Sequence, residues 1–276
     1  MQIGIFSKTF ERPTLGGVLD AVVAAGLHSV QFNMSCAGLP IMPEAVAPED
    51  VVRIRSELQQ RSIEMSALSG TFNIIHPDLQ QRQSGMRSLR TSCQVCRRLG
   101  TSIITLSTGT CNAENMWRSH PQNQSEATWQ EMIRSMQEAV SYAEESGVTL
   151  AFEPEVSNVV DSAQRARRLL DEIRSPHLKV VIDGANLFHT GELPQMKEIL
   201  HEAFELLGND IVLAHAKDIS QDGEAGHDAA GTGLLDYDLY LYLLRQSGFQ
   251  GAIILHSLTE AQTPGCVEFL RSKMGR

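Results

Sequence analysis

The feature that most limits what this chain can fold into is a regular alternation of short apolar runs with longer amphipathic stretches. Eight runs have strand character: IGIFS (3–7), SVQFN (29–33), IEMSALS (63–69), SIITLS (102–107), TLAFEP (149–154), KVVIDG (179–184), IVLAHA (211–216) and AIILHS (252–257). Helical periodicity follows each of them, over 15–26, 48–62, about 80–99, 126–147, 161–173, 194–207, 236–247 and 264–273. Strand then helix, repeated, implies parallel strands joined by crossover helices. No composition shift, low-complexity tract or charge run marks a boundary. Over 276 residues, eight such units close most naturally into a single-domain (β/α)8 TIM barrel spanning 1–276. A doubly wound open sheet competes. However, the first strand runs into SKTFERPT, which has neither a GxGxxG nor a P-loop glycine pattern.

Composition narrows the function classes. A hydrophobic content of 42% supports a sizeable core. A formal net charge of −10 disfavours a phosphate-backbone binder, so no nucleic-acid partner is expected. No run approaches the roughly 20 apolar residues of a membrane span, and Met1 leads into a strand-like stretch with no basic and apolar leader. The expectation is a cytoplasmic protein with no membrane partner. Cys36, Cys93, Cys96, Cys111 and Cys266 are odd in number and irregular in spacing, which fits reduced thiols. Cys93 and Cys96 form a CxxC, but inside a helical stretch and with no second pair to complete a four-sulfur site. They read as two helical thiols without a shared function.

In a barrel of this kind the chemistry sits at the C-terminal ends of the strands. The fifth run ends in Glu153, the sixth in Asp183, the seventh in His215 and the eighth in His256. Adjacent parallel strands place such ends on one arc. Buried there, each group needs a partner or changes its protonation. One divalent cation would satisfy all four, and two carboxylates with two imidazoles suit Mn²⁺, Co²⁺, Zn²⁺ or Fe²⁺ better than Ca²⁺. The competing arrangement pairs these groups with Lys217 and nearby backbone.

These residues carry a family resemblance. The chain resembles the xylose-isomerase-like TIM-barrel superfamily of sugar isomerases and epimerases, which includes the AP-endonuclease-2-like barrels. That family shows Glu at the end of strand five, Asp on strand six, an H-x-K-D motif on strand seven and Glu on strand eight. Here the positions read Glu153, Asp183, His215-Ala216-Lys217-Asp218 and His256. The stretch AGTGLLDYDLY (230–240) resembles the family's Gly-x-Gly…Asp segment before the last helix. The resemblance implies a metal-dependent isomerase or epimerase of a small sugar or related polyhydroxy carbonyl compound, working by proton transfer next to the carbonyl. Glu153 would be ligand and general base, with Lys217 as an electrophilic helper or in a salt bridge.

Two departures qualify this. His256 replaces the second glutamate and is expected as a metal ligand or as the second acid/base. The change favours a one-base isomerisation or a β-elimination over a symmetric two-glutamate mechanism. A metal-dependent dehydratase of a keto-cyclitol or keto-sugar is thus the second reading, and a non-catalytic sugar- or metal-binding barrel is a reading of another class. Asn186 stands where many relatives have a histidine that the related DNA-repair endonucleases use in a multi-metal site; it would donate to a substrate oxygen instead. Further substrate-contact candidates are Glu155, two residues beyond Glu153 on the same face, Asn158, and His76, which could instead cap the helix starting near Asp78. Trp117 and His120 lie in the long 109–125 linker and could form a lid over a sugar ring. His189 is a weaker candidate; His28, His177, His201 and His227 read as surface or helix residues. The resemblance also allows a homodimer paired through barrel loops.

Overall fold

The structure is a computed structural model describing residues 1–275; Arg276, the last residue of the expected domain, lies outside the described residues. The barrel wall is built from β1 (Gln2–Phe6), β2 (Ser29–Phe32), β3 (Glu64–Ser69), β4 (Ile103–Ser107), β5 (Thr149–Glu153), β6 (Leu178–Asp183) and β7 (Ile211–Asp218). A two-residue strand, β8 (Asp228–Ala229), pairs antiparallel with the end of β7 and is not part of the wall. The eighth wall strand is β9 (Ala252–Leu255). All eight wall strands are parallel in chain order, and β1 against β9 closes the ring, with Gln2 opposite Ala252 and Ile5 opposite Leu255.

The crossover helices are α1 (Leu15–Ala24), α2 (Pro48–Gln60), α3 (Leu79–Leu99), α4 (Glu126–Ser146), α5 (Ala163–Ile173), α6 (Met196–Leu207), α7 (Tyr237–Gln246) and α8 (Thr263–Met274). Every expected strand and helix forms, with ends shifted by no more than two residues. Local chemistry explains the boundaries. Side chains of Thr14, Asp78, Ser125, Ser162 and Asp236 accept from first-turn N–H groups. Pro48 opens α2. Gly26 stops α1 at φ +71°, its N–H donating to the Val23 carbonyl at 2.8 Å. No helix among the described residues is long and apolar enough to cross a membrane. Cys93 and Cys96 are free thiols in the buried face of α3, where burial pushes both up to about 12.

Most of the core lies between the strands and the helices. A second cluster fills the barrel interior: Ala67, Ala151, Val181, Leu213, Ala252 and Ile254. Strand side chains alternate between faces, so the residue two further along points the same way. Two residues beyond Ala151, Val181, Leu213 and Ile254 lie Glu153, Asp183, His215 and His256. The apolar floor and the polar residues above it are successive layers of the same inward-facing rows.

Outside the barrel, Asp210 joins three elements. Its carboxylate accepts from Lys179 Nζ on β6 at 2.6 Å and from Arg167 Nη1 on α5 at 2.9 Å, just before β7. Burial raises the carboxyl pKa, but the hydrogen bonds and charges of Lys179 and Arg167 outweigh it and hold it below the usual range. A folded pKa below the unfolded one gives stability that is present above the unfolded value and lost as pH falls through the folded one. Asp210→Asn should therefore cost about 1 kcal/mol in urea denaturation at neutral pH. The gap to the unsubstituted protein should close on the acid side of the carboxylate range.

Candidate active site

A cavity of about 440 Å³ opens among the C-terminal ends of the strands, with Glu153, Asn186, His215, Lys217 and His256 among its lining residues. At its floor His215 Nδ1 lies 3.4 Å from Glu153 Oε1 and 3.7 Å from Asp183 Oδ2. These three residues offer ligand atoms all within 4.8 Å of one another. Asp183 is fully buried. Its Oδ1 accepts from the Ala185 N–H at 3.0 Å. Its Oδ2 is ion-paired, 3.1 Å from Lys217 Nζ and 3.7 Å from His215 Nδ1, without ideal hydrogen-bond geometry to either. Two carboxylate oxygens and an imidazole nitrogen brought this close together fit a divalent cation.

Asn186 ties the cluster together. Its Nδ2 donates to Glu153 Oε1 at 2.6 Å, and its Oδ1 accepts from Lys217 Nζ at 3.0 Å. The electrostatics follow. Burial pulls the His215 pKa down, but the Glu153 and Asp183 carboxylates outweigh it and raise it to about 9. Burial opposes the charged form of Asp183, yet Lys217 and His215 keep it well below the carboxylate range. Lys217 is likewise disfavoured by burial and held charged by Asp183 and Glu153. Glu155 is different: burial dominates and raises it to about 7, against the hydrogen bond from the Ser157 N–H at 2.9 Å.

Of the four residues expected as ligands, Glu153, Asp183 and His215 bring ligand atoms together, and His256 does not join them. His256 follows β9 and lies flat between two rings, with centroids 5.1 Å from His215 and 5.0 Å from Phe6. A ring face, not a ring nitrogen, meets His215, and Nδ1 is 3.0 Å from Ser257 Oγ. Burial, then the charges of His215 and Lys217, push its pKa well below the usual value and keep it neutral. That neutrality is what lets it stack on a charged His215.

Of the other candidates, Glu155, Asn158, Asn186 and Trp117 line the cavity. Glu155 and Asn158 bond to each other, and Asn158 Oδ1 accepts from Ser107 Oγ at 2.5 Å, which joins the ends of β4 and β5. His76 and His120 do not line the cavity. His76 Nδ1 accepts from the Asp78 N–H at 3.0 Å, and His120 Nδ1 accepts from the Gln122 N–H at 3.3 Å. Each ring is engaged in a turn ahead of a helix, which corrects the expectation that they face substrate. His189 lies near Asp161, 3.8 Å away. His227, read as a surface residue, is on the cavity rim.

Two roles were missed. Gln31 Oε1 lies 2.8 Å from His215 Nε2, and Gln31 Nε2 donates to Thr105 Oγ1 at 3.4 Å. With Nε2 donating to an amide oxygen, Nδ1 is the nitrogen turned toward the carboxylates. The sequence itself offers only an amide, Gln31, inside the strand-like run SVQF, and nothing local names its partner. Asp218, the last residue of H-x-K-D, is an anchor for the 230–240 loop. It accepts from the N–H groups of Ile219, Gly231 and Leu235, each at 2.9 Å. A Cβ at Gly233 would fall 2.5 Å from Asp218 Oδ1, which explains the glycine there.

A family model described as xylose isomerase-like TIM barrel matches residues 19–273. The chain belongs to the xylose isomerase-like TIM barrel family. No curated protein matches it significantly in sequence. Solved structures similar to this family member include the 3-keto-D-glucoside 4-epimerase of E. coli in apo form. That one is 15% identical with a TM-score of 0.72, covering 99% of both chains. The probable 3-DHS dehydratase AsbF of Bacillus anthracis is 15% identical with a TM-score of 0.74, covering 98% of this chain and 99% of that one. The IOLI protein with a zinc atom is 16% identical with a TM-score of 0.73, covering 99% and 96%. At these identities the likeness is one of fold.

Gln31→Met should leave the His215 Nε2–H unpaired and cost about 1–3 kcal/mol in denaturant unfolding. Gln31→Glu, which keeps an acceptor there, should recover most of it. Ring ¹⁵N shifts of His215 unchanged by Gln31→Met would show that Gln31 does not set the imidazole.

Proposed function

We propose that this barrel is a divalent-metal-dependent isomerase or epimerase of a small sugar or related polyhydroxy carbonyl compound. The observation that carries the reading is the convergence of ligand atoms from Glu153, Asp183 and His215 within 4.8 Å of one another, with Glu153 and His215 lining a cavity of about 440 Å³. Glu153, Asp183 and His215 would hold the ion, and Mn²⁺, Co²⁺, Zn²⁺ and Fe²⁺ all suit that donor set. When bound, such an ion polarises a carbonyl oxygen and stabilises the charge that develops on it.

The chain supplies the rest. Lys217, kept charged beside Asp183, adds positive potential at the same end of the cavity. Glu153 is the base that takes the proton next to the carbonyl, oriented by Asn186 Nδ2. Returning that proton to the neighbouring carbon gives isomerisation. Delivery of a proton to the original carbon from the opposite side gives epimerisation; His256, kept neutral, would have to take up a proton before it could make that delivery. Support comes from family membership and from the 3-keto-D-glucoside 4-epimerase among the similar structures.

A dehydratase is the second reading, favoured by one feature. The eighth strand brings an imidazole and not a second carboxylate, so proton removal by Glu153 followed by loss of a β-hydroxyl needs no further base. The dehydratase AsbF among the similar structures agrees with it.

The test is elemental analysis of chelator-free protein, followed by substrate α-proton exchange in deuterated solvent. About one divalent ion per chain is expected, with Asp183→Asn losing it. Glu153→Gln should slow exchange by roughly 10²–10⁴. Unchanged product mass supports isomerisation or epimerisation, and loss of water moves the assignment to the dehydratase. Metal without exchange would mean a binding barrel, and no metal after incubation with Mn²⁺, Co²⁺ and Zn²⁺ would overturn the reading.

A further inference from the structure

Gln31 and His215 share a hydrogen bond whose direction is fixed. His215 turns Nδ1 toward Glu153, 3.4 Å away, and Asp183, 3.7 Å away. Nε2 therefore carries a hydrogen both when Nδ1 holds a metal ion and when the ring is the cation that those carboxylates favour. A donating Nε2 needs an acceptor, so the oxygen of the Gln31 amide faces it at 2.8 Å. The amide nitrogen is left for the far side, where it donates to Thr105 Oγ1 at 3.4 Å.

The fold gives these bonds their path. Gln31 is on β2 and Thr105 on β4. Between them β3 sets Ala67 opposite Gln31, so only a methyl group stands where the amide crosses. Gln31 and Thr105 are both buried, and both line the cavity. A hydroxyl has one hydrogen to give. Thr105 accepts from Gln31, whose NH₂ group cannot take a hydrogen back. The Thr105 hydrogen has to go elsewhere, and among the described residues no protein atom accepts it. Ser107, two residues on along β4, is different: its hydrogen goes to Asn158 Oδ1 at 2.5 Å. Thr105 is thus a buried donor whose direction is dictated from the other side of the barrel, and a buried donor without an acceptor is costly.

We infer that Thr105 is a specificity-determining residue: its hydroxyl, turned outward by the His215–Gln31 bonds, donates to an oxygen of the substrate. The ligand position beside it takes a hydroxyl or carbonyl oxygen. It rejects an ammonium, which would set donor against donor, and a deoxy carbon, which offers no acceptor. This rests on the function proposed above and narrows its substrate class to sugars that keep an oxygen at that carbon.

The test uses the full, metal-loaded chain, titrated calorimetrically with D-fructose, D-tagatose, D-psicose and L-ribulose. Thr105→Val should weaken binding of the tightest of these ketoses about tenfold, and Thr105→Ser should keep its affinity. Gln31→Glu is the decisive variant. It keeps an acceptor for His215, and with it the metal content, but offers Thr105 no hydrogen, so the hydroxyl turns back to the carboxylate. It should lose the same factor, and combining it with Thr105→Val should lose no more than either change alone. Parent-like binding by Gln31→Glu, losses that add, or binding of none of these ketoses would overturn the inference. Neutron diffraction from deuterated crystals gives a reading that needs no ligand. Deuterium on Thr105 Oγ1 should point into the cavity, and deuterium pointing at Gln31 would overturn the inference whatever the sugar. Failure of the functional reading looks different: it removes metal content or α-proton exchange from the unsubstituted chain and leaves the Thr105 deuterium where it is.

Discussion

Asp183 is held wholly out of water, and the chemistry of the barrel mouth follows from what that burial demands. An isolated carboxylate there would cost several kcal/mol or take up a proton. Lys217 and His215 keep it ionised, and both are themselves buried cations that need carboxylates in return. Glu153 completes the exchange, and Asn186 spaces it from the lysine. The arrangement balances two carboxylates against a lysine and a raised histidine. That balance is why two carboxylates, an ammonium and an imidazolium can share one small volume. Removing any one member leaves another buried charge uncompensated.

This cluster also explains how far the sequence could be read. The barrel was legible because each strand and helix carries its own period and stop, as with Gly26 closing α1 and Pro48 opening α2. Glu153, Asp183 and His215 were legible for a related reason. Each stands one inward step beyond an apolar residue of the barrel interior, so strand pattern alone places it at the mouth. The third step of that logic is Lys217, two beyond His215 on β7, which lines the same cavity.

The same logic fails where a side chain has more than one way to satisfy itself. His256 has the right position but stacks between Phe6 and His215, and nothing in IILHSL announces a ring partner brought from β1. His76 and His120 follow strands as site residues do, but each accepts a backbone N–H two residues on, a purely local bond that competes with any role in the cavity. Gln31 is the reverse case. Its contact with His215 crosses the barrel between strands far apart in sequence, so no local pattern contains it.

Seen this way, the departure at the eighth strand is not a simple exchange of one ligand for another. A glutamate at His256 would add a third negative charge beside Asp183 and Glu153 and would need a cation of its own. A neutral imidazole adds none. It covers one face of His215 and leaves the charge balance to β5, β6 and β7. On the half of the mouth formed by β1 to β4 the lining is hydroxyls, amides and apolar side chains such as Phe6, Ile41 and Trp117, with the charged Lys8 among them.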